Sequence, residues 1–245
     1  MNRSYVLILG ALSDIAKSTA HKFAANGYNL LLAARKPSDL KTEYDDFEKR
    51  YNVDVNFYEF DVLKLNTHKD FIQNLKEIPS IIICAVGYMG EQIVNEKKAD
   101  YRIEVLRTNY EGPLNIISEL ANILEEQGSG TIVGISSVAG DRGRAKNYIY
   151  GSAKAGFSAF LSGLRNRLSK KNVHVVTVLP GTVYTKMTSG LKLPKLFTSY
   201  PERVSNDIYI AVKKKKNIIY TMGMWRFIMM VIKLIPEEIF KKLKI

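Results

Sequence analysis

Seven short apolar runs recur along the chain, at Tyr5–Leu9, Asn29–Ala34, Val55–Phe60, Ile81–Ala85, Thr131–Ser136, Val173–Leu179 and Ile218–Thr221, with longer helical patterns between them. This alternation constrains the fold more than any other feature. Strands that alternate with helices close as right-handed βαβ units and build a mostly parallel sheet covered on both faces. Ile15–Asn26 reads as a helix closing at Gly27, and Tyr148–Leu168 as a long helix whose last turn carries Arg165 and Arg167, where positive charge suits the C-terminal end. No Pro-, Gly- or Ser-rich linker and no internal repeat divides the sequence. The expectation is one α/β, doubly wound domain over 1–221, with a substrate loop at about 184–204, and a basic amphipathic extension of the same domain over 222–245.

Composition narrows the function classes. With 46% hydrophobic and 24% charged residues the chain has an ordinary globular make-up, which excludes disorder, collagen and small disulfide scaffolds. Cys84 is the sole cysteine, so no intrachain disulfide forms, and His21, His68 and His174 lack ligand spacing, so no metal is expected. The first residues carry no signal-peptide pattern, and a reducing, cytoplasmic setting follows as the expectation. The net charge of +12 is uneven: residues 1–122 hold 15 Lys/Arg against 17 Asp/Glu, residues 123–245 hold 21 against 7. A basic C-terminal half suits an anionic membrane surface, a phosphorylated substrate or a solvated face. Nucleic acid is not expected, because no basic groove interleaved with aromatic residues is present.

In open α/β sheets ligands bind beyond the carboxyl ends of the strands. The first of these ends reads Leu9-Gly10-Ala11-Leu12-Ser13-Asp14-Ile15: Gly10 permits a tight turn, Ser13 and Asp14 cap the following helix, and that helix N-terminus favours a pyrophosphate. The second strand ends at Arg35, where an acid would accept from the ribose of NAD and an arginine suits a 2′-phosphate, so NADP(H) is preferred over NAD(H). Asp61 and Val62 follow the third strand, and Ala85, Val86 and Gly87 close the fourth with small residues against which a flat ring can lie.

Tyr150 and Lys154 stand four residues apart, one helical turn on one face. A free phenol has a pKa of about 10, too high for proton transfer near neutrality, and a nearby cation favours its ionised form. Spacing alone decides nothing, since a second such pair stands at Tyr209 and Lys213. Context separates them. Ser137 lies at the end of the fifth apolar run, so a hydroxyl and the Tyr150 phenol can meet over one strand end, and Tyr209 has no such companion.

In this order of elements the sequence resembles the short-chain dehydrogenase/reductase family over residues 4 to 225. The Gly10 turn, Asp61, Ala85-Val86-Gly87, Asn109-Tyr110-Glu111-Gly112, Ile135-Ser136-Ser137, Tyr150 to Lys154 and Pro180-Gly181-Thr182-Val183-Tyr184-Thr185 carry the likeness. The resemblance implies a Rossmann-type domain and an NAD(P)-dependent oxidoreductase. Position by position, it implies that Tyr150 donates a proton, Lys154 lowers its pKa and holds the nicotinamide ribose, Ser137 hydrogen-bonds the substrate carbonyl, and Asn109 orders a relay water. Pro180, Gly181, Val183 and Thr185 would border the nicotinamide. Two departures stand out: Asp14 and Ala16 occupy positions where the family writes glycine, and Cys84-Ala85-Val86-Gly87 replaces Asn-Asn-Ala-Gly.

A narrower resemblance, in Asp141-Arg142-Gly143-Arg144, in Asn147-Tyr148-Ile149-Tyr150 and in the tail, is to the reductase subunit of decaprenylphosphoryl-ribose 2-epimerases and related polysaccharide-cluster reductases. It implies a keto-sugar carried on a polyprenyl phosphate, with Arg142, Arg144 and Lys186 at the substrate mouth. A long-chain lipid ketone reductase, or a non-catalytic dinucleotide-binding scaffold, are the alternatives. The tail from Met222 is too short in its uncharged run to span a bilayer. Trp225, Arg226, Lys233, Lys241, Lys242 and Lys244 flank apolar residues as in an interfacial helix on an anionic surface, which adds a peripheral-membrane expectation. The other reading of the tail is a cover for the substrate cleft or an interface in a homo-oligomer.

Overall fold

The computed structural model describes residues 4–243; Lys244 and Ile245 of the tail, and the first three residues, lie outside them. Six strands follow one another along the chain, β1 (Tyr5–Leu9), β2 (Asn29–Ala34), β3 (Val55–Glu59), β4 (Ile81–Cys84), β5 (Gly130–Ile135) and β6 (Val173–Leu179). With Ile218–Tyr220 they form a seven-stranded parallel sheet in the order β3-β2-β1-β4-β5-β6-Ile218–Tyr220. All seven expected strands exist, each within two residues of its expected ends. The chain winds outward from β1 in one direction and from β4 in the other, so the switch in strand order falls between β1 and β4, paired through Leu9 and Cys84.

Alternate side chains of these strands enter two cores. Val6, Ile8, Leu30, Leu32, Ile83, Val133 and Val176 pack on one face, and Leu7, Leu9, Leu31, Ile82, Ile132 and Val175 on the other. The first face is covered by α1 (Asp14–Ala24), through Ala16, Ala20 and Phe23, and by a helix at Pro201–Lys213 through Val204 and Ile208. The second is covered by α2 (Gly112–Gln127), through Ile116, Ile117 and Leu120, and by α3 (Tyr148–Leu168), through Phe157, Leu161 and Leu164. Both faces of every central strand are dry, which is why the sequence reads there as continuous apolar runs.

One feature was not anticipated. Thr182–Val183 and Thr198–Ser199 pair as a small parallel two-stranded sheet that pins the ends of the 184–204 loop. The tail folds as a helix at Met224–Leu234 and a short one at Glu237–Phe240, and it makes a third core in which Trp225 and Met229 pack on Val138 and Leu179. One face of the tail is therefore interior, as the cleft-cover reading expects. The opposite face leaves Phe227 at 67%, Val231 at 59% and Leu234 at 75% exposure. No helix among the described residues is long and apolar enough to cross a membrane.

Candidate active site

Gly10 ends β1 with φ +79, a left-handed conformation that glycine adopts without steric cost. A Cβ there would lie 3.1 Å from the Val86 nitrogen and 3.2 Å from Ala85, so the two strand ends at the switch point cross with no room for a side chain. Ser13 caps α1: its hydroxyl oxygen accepts from Ala16 N at 3.3 Å and its hydrogen reaches Ala85 O at 3.4 Å. A groove runs from this turn over the ends of β1, β2 and β4, lined by Gly10, Ser13, Arg35, Asp61, Val62 and Ala85 to Gly87. Arg35 and Lys36 stand exposed at its rim, and the Asp61 carboxylate accepts from Leu63 N at 3.1 Å, which shapes the chain leaving β3. Close backbone approach, a capped helix N-terminus and a cationic rim fit a phosphorylated dinucleotide.

Asp14, the departure at a family glycine, does not face along this groove. Its carboxylate accepts from the Lys186 backbone N at 2.6 Å and ties the start of the 184–204 loop to the first turn of α1. Thr185 caps the turn Lys186–Thr188 in a reciprocal capping box with Thr188.

The groove continues into a cavity of about 430 Å³ lined by Ser137, Tyr150, Lys154, Pro180, Gly181 and Thr185, among others. Ser137 follows β5 and Tyr150 sits in the first turn of α3, so two elements bring hydroxyl and phenol together, as the sequence reading expects. Burial pushes the Tyr150 phenol up to about 12, against the smaller opposing pull of the Ser137 hydroxyl. Burial pulls Lys154, 3% exposed, down to about 8. Its ammonium donates to Ile135 O at 3.0 Å and lies 5.8 Å from the Tyr150 ring centroid, so in the protein alone it does not touch the phenol.

Asn109 lies in a π-helical turn at Arg107–Glu111 and is fully buried. Its amide donates to Val105 O at 2.8 Å and to Tyr88 O, and its carbonyl accepts from Tyr88 N at 3.3 Å. It braces the chain after Gly87, and a Cβ built on Gly87 would meet both Asn109 Oδ1 at 3.2 Å and Lys154 Nζ at 3.5 Å.

The expected substrate cations divide. Arg144 and Lys186 line the cavity. Arg142 does not, which corrects its expected place at the mouth: its guanidinium donates to the carbonyls of Ile232 at 2.6 Å and Ile235 at 2.7 Å, pairs with Glu237 at 2.9 Å and stacks 3.6 Å from the Phe240 ring. The carbonyls left open at the end of the Met224–Leu234 helix are the acceptors that claim it. Trp225 was read as a membrane flank, yet it is 9% exposed and walls the cavity. Its indole N–H donates to Phe197 O at 3.2 Å, and a Cβ on Gly181 would fall inside its ring. Asn147 and Leu12, which the sequence motifs contain without a site role, also line the cavity.

A parallel sheet that opens at its switch point onto a half-buried phenol and a buried ammonium is the architecture of a Rossmann-type oxidoreductase. The chain belongs to the short chain dehydrogenase family, whose model matches residues 4–195. It is 30% identical to an uncharacterized oxidoreductase of Mycobacterium tuberculosis over 241 residues, covering 97% of this chain and 96% of that protein. Among solved structures it resembles a short-chain dehydrogenase from Sphingobium yanoikuyae in complex with NADPH, at TM-score 0.80 and 21% identity over 96% of this chain and 97% of the other. A short chain dehydrogenase from Burkholderia cenocepacia in complex with NADP aligns at TM-score 0.84 and 18% identity, over 99% and 98% of the two chains.

Proposed function

We propose that the protein is a carbonyl reductase that uses NADPH to turn a ketone into a secondary alcohol. The observation that carries this reading is the Tyr150 phenol sharing one cavity wall with the Ser137 hydroxyl and buried Lys154, one turn along the same helix, in a cavity that opens into the switch-point groove. NADPH, when bound, supplies the hydride that the ketone carbon receives. Ser137 holds the carbonyl oxygen, and Tyr150 gives that oxygen its proton, so the C=O bond becomes H–C–O–H. A phenol held protonated by burial is suited to the donor role. Lys154 is placed to hold the nicotinamide ribose, Pro180, Gly181, Val183 and Thr185 border the nicotinamide, and Asn109 keeps the Gly87–Tyr88 backbone in position. Arg35 is the preferred partner of a 2′-phosphate, and similar folds solved with NADPH or NADP support that cofactor.

The finer reading is a keto-sugar on a polyprenyl phosphate met at an anionic membrane surface. Its support is the exposed apolar face of the Met224–Leu234 helix, together with Met187, Leu191 and Leu196, which stand exposed on the 184–204 loop. Arg226, Lys233, Lys192 and Lys195 flank these residues in sequence. The test is deuterium transfer from C4-labelled NADPH: label on the carbinol carbon of a reduced ketone supports the reaction, and NADPH unconsumed by any ketone removes it.

A further inference from the structure

Basic residues of the C-terminal half converge at the edge of the sheet, outside the candidate active site. Ile218–Tyr220 is the last of the seven strands and pairs on one side only, with β6. Beside it lies a surface groove of about 870 Å³ whose wall carries Arg203 from the Pro201–Lys213 helix, Lys216 from the turn that follows, and Arg226 and Lys233 from the Met224–Leu234 helix. Asp207 is the one carboxylate on that wall, and it pairs with Arg203 at 3.4 Å. Lys216, Arg226 and Lys233 are exposed and, among the described residues, form no ion pair. An anion in the groove relieves the mutual repulsion of these cations.

Apolar side chains share the groove: Ile218, Met230 and Leu234 line it and stand exposed. Successive helical residues are set about 100° apart, so Arg226, Met230 and Lys233 fall on one face, with Phe227 and Val231 one step further round. Leu234 joins the two faces. A soluble anion would use the cations and leave Phe227, Val231 and Leu234 in water, whereas an anionic phospholipid uses both, its phosphate among the cations and its acyl region against the apolar stripe. A second copy meeting this sheet edge about a two-fold axis would set the groove's cations against their equivalents. On the inner side of the same helix, Trp225 lines the cavity and Met229 fills the third core.

Resting on the membrane part of the reading above, we infer that the groove between the Pro201–Lys213 and Met224–Leu234 helices is a headgroup site for anionic phospholipid, and that the protein docks on a bilayer through this sheet edge. One helix then separates the docked lipid from the candidate substrate cavity.

The test is co-sedimentation of the full chain with vesicles of phosphatidylcholine alone and of phosphatidylcholine and phosphatidylglycerol in equal parts. A groove variant (Lys216→Gln, Arg226→Gln, Lys233→Gln) is compared with wild type and with a control that removes three exposed lysines elsewhere (Lys41→Gln, Lys49→Gln, Lys97→Gln). Each groove cation is expected to be worth about fivefold in affinity, so the groove variant loses on the order of a hundredfold on the anionic vesicles. The control, equal in net charge, is expected to bind nearly as wild type does, because charges beyond a Debye length of the surface are screened. Equal losses in the two variants, or no loss in the groove variant, overturn the headgroup site and leave the membrane reading of the tail standing. Wild-type protein that ignores the anionic vesicles overturns both, and neither result bears on ketone reduction. A lipid-free dimer that the groove substitutions break, seen by sedimentation velocity, gives the groove to a second copy and overturns the lipid.

Discussion

The Lys154 ammonium, buried, donates to the Ile135 carbonyl at 3.0 Å and stands 5.8 Å from the centre of the Tyr150 ring. Burial holds its pKa near 8, below the 10.5 of an exposed lysine. Between those values the unfolded chain binds the proton that the folded chain has released, so this group makes stability rise with pH across that window. Below about pH 8 the folded protein must carry a buried charge.

Lys154→Met is therefore expected to abolish reduction while raising stability at pH 7. The gain is on the order of 2 kcal/mol after subtracting the lost bond to Ile135, or about 5 °C in Tm. The gain shrinks toward pH 10. Melting curves of both proteins at pH 7 and 9.5 check this, and a variant less stable than wild type at pH 7 contradicts it.

Asp14 couples the dinucleotide turn to the substrate loop through its 2.6 Å bond from Lys186 N. Asp14→Asn keeps an acceptor and removes a negative charge beside the expected pyrophosphate. NADPH is expected to bind severalfold more tightly to Asp14→Asn, with ketone KM little changed. Asp14→Ala also loses the tie, and its ketone KM is expected to rise. Fluorescence titration and steady-state kinetics separate the two.

Arg35 at the groove rim is expected to set cofactor choice. NADPH should bind more tightly than NADH, and Arg35→Ala should close most of the gap, since a charge-assisted contact with phosphate is worth about 1.5–3 kcal/mol. Equal wild-type affinities would show that the arginine serves no phosphate.

The tail is expected to behave as two faces. Truncation after Thr221 removes Trp225 from the cavity wall and Met229 from the third core, and is expected to destabilise the protein by several kcal/mol. Arg142→Ala is expected to release the tail, seen as faster hydrogen exchange over 224–240; Arg142→Lys does not rescue it, because an ammonium cannot fork between the carbonyls and Glu237. Exposed-face changes leave the core intact. Phe227→Ser with Leu234→Ser is expected to weaken sedimentation with anionic liposomes while a water-soluble ketone is still reduced. Wild-type protein that ignores anionic liposomes contradicts the membrane reading.

These outcomes mark where the sequence was legible. The strands of the sheet and α3 were readable because two-sided burial writes continuous apolar runs, and the Ser137, Tyr150 and Lys154 set was readable because a strand end and a helix turn are local signals. The contact of Gly181 with Trp225 was not, because it joins segments whose meeting depends on how the tail packs. Arg142 misled for a related reason: a basic loop near a mouth looks like an anion site, and its true partners are backbone carbonyls, which carry no sequence signature. Asn109 was found by its motif, but its burial beside Gly87 depends on the π turn that the sequence does not announce.

The most direct test of the central claim is ketone-dependent NADPH oxidation by Tyr150→Phe beside Tyr209→Phe. Tyr209 packs edge-on against Phe23 beneath Lys22, away from the cavity, so its variant is expected to turn over at the wild-type rate. Tyr150→Phe is expected to bind NADPH normally and to lose about 10²–10⁴-fold in kcat. Wild-type turnover by Tyr150→Phe would contradict the assignment of the proton donor and, with it, the proposed reaction.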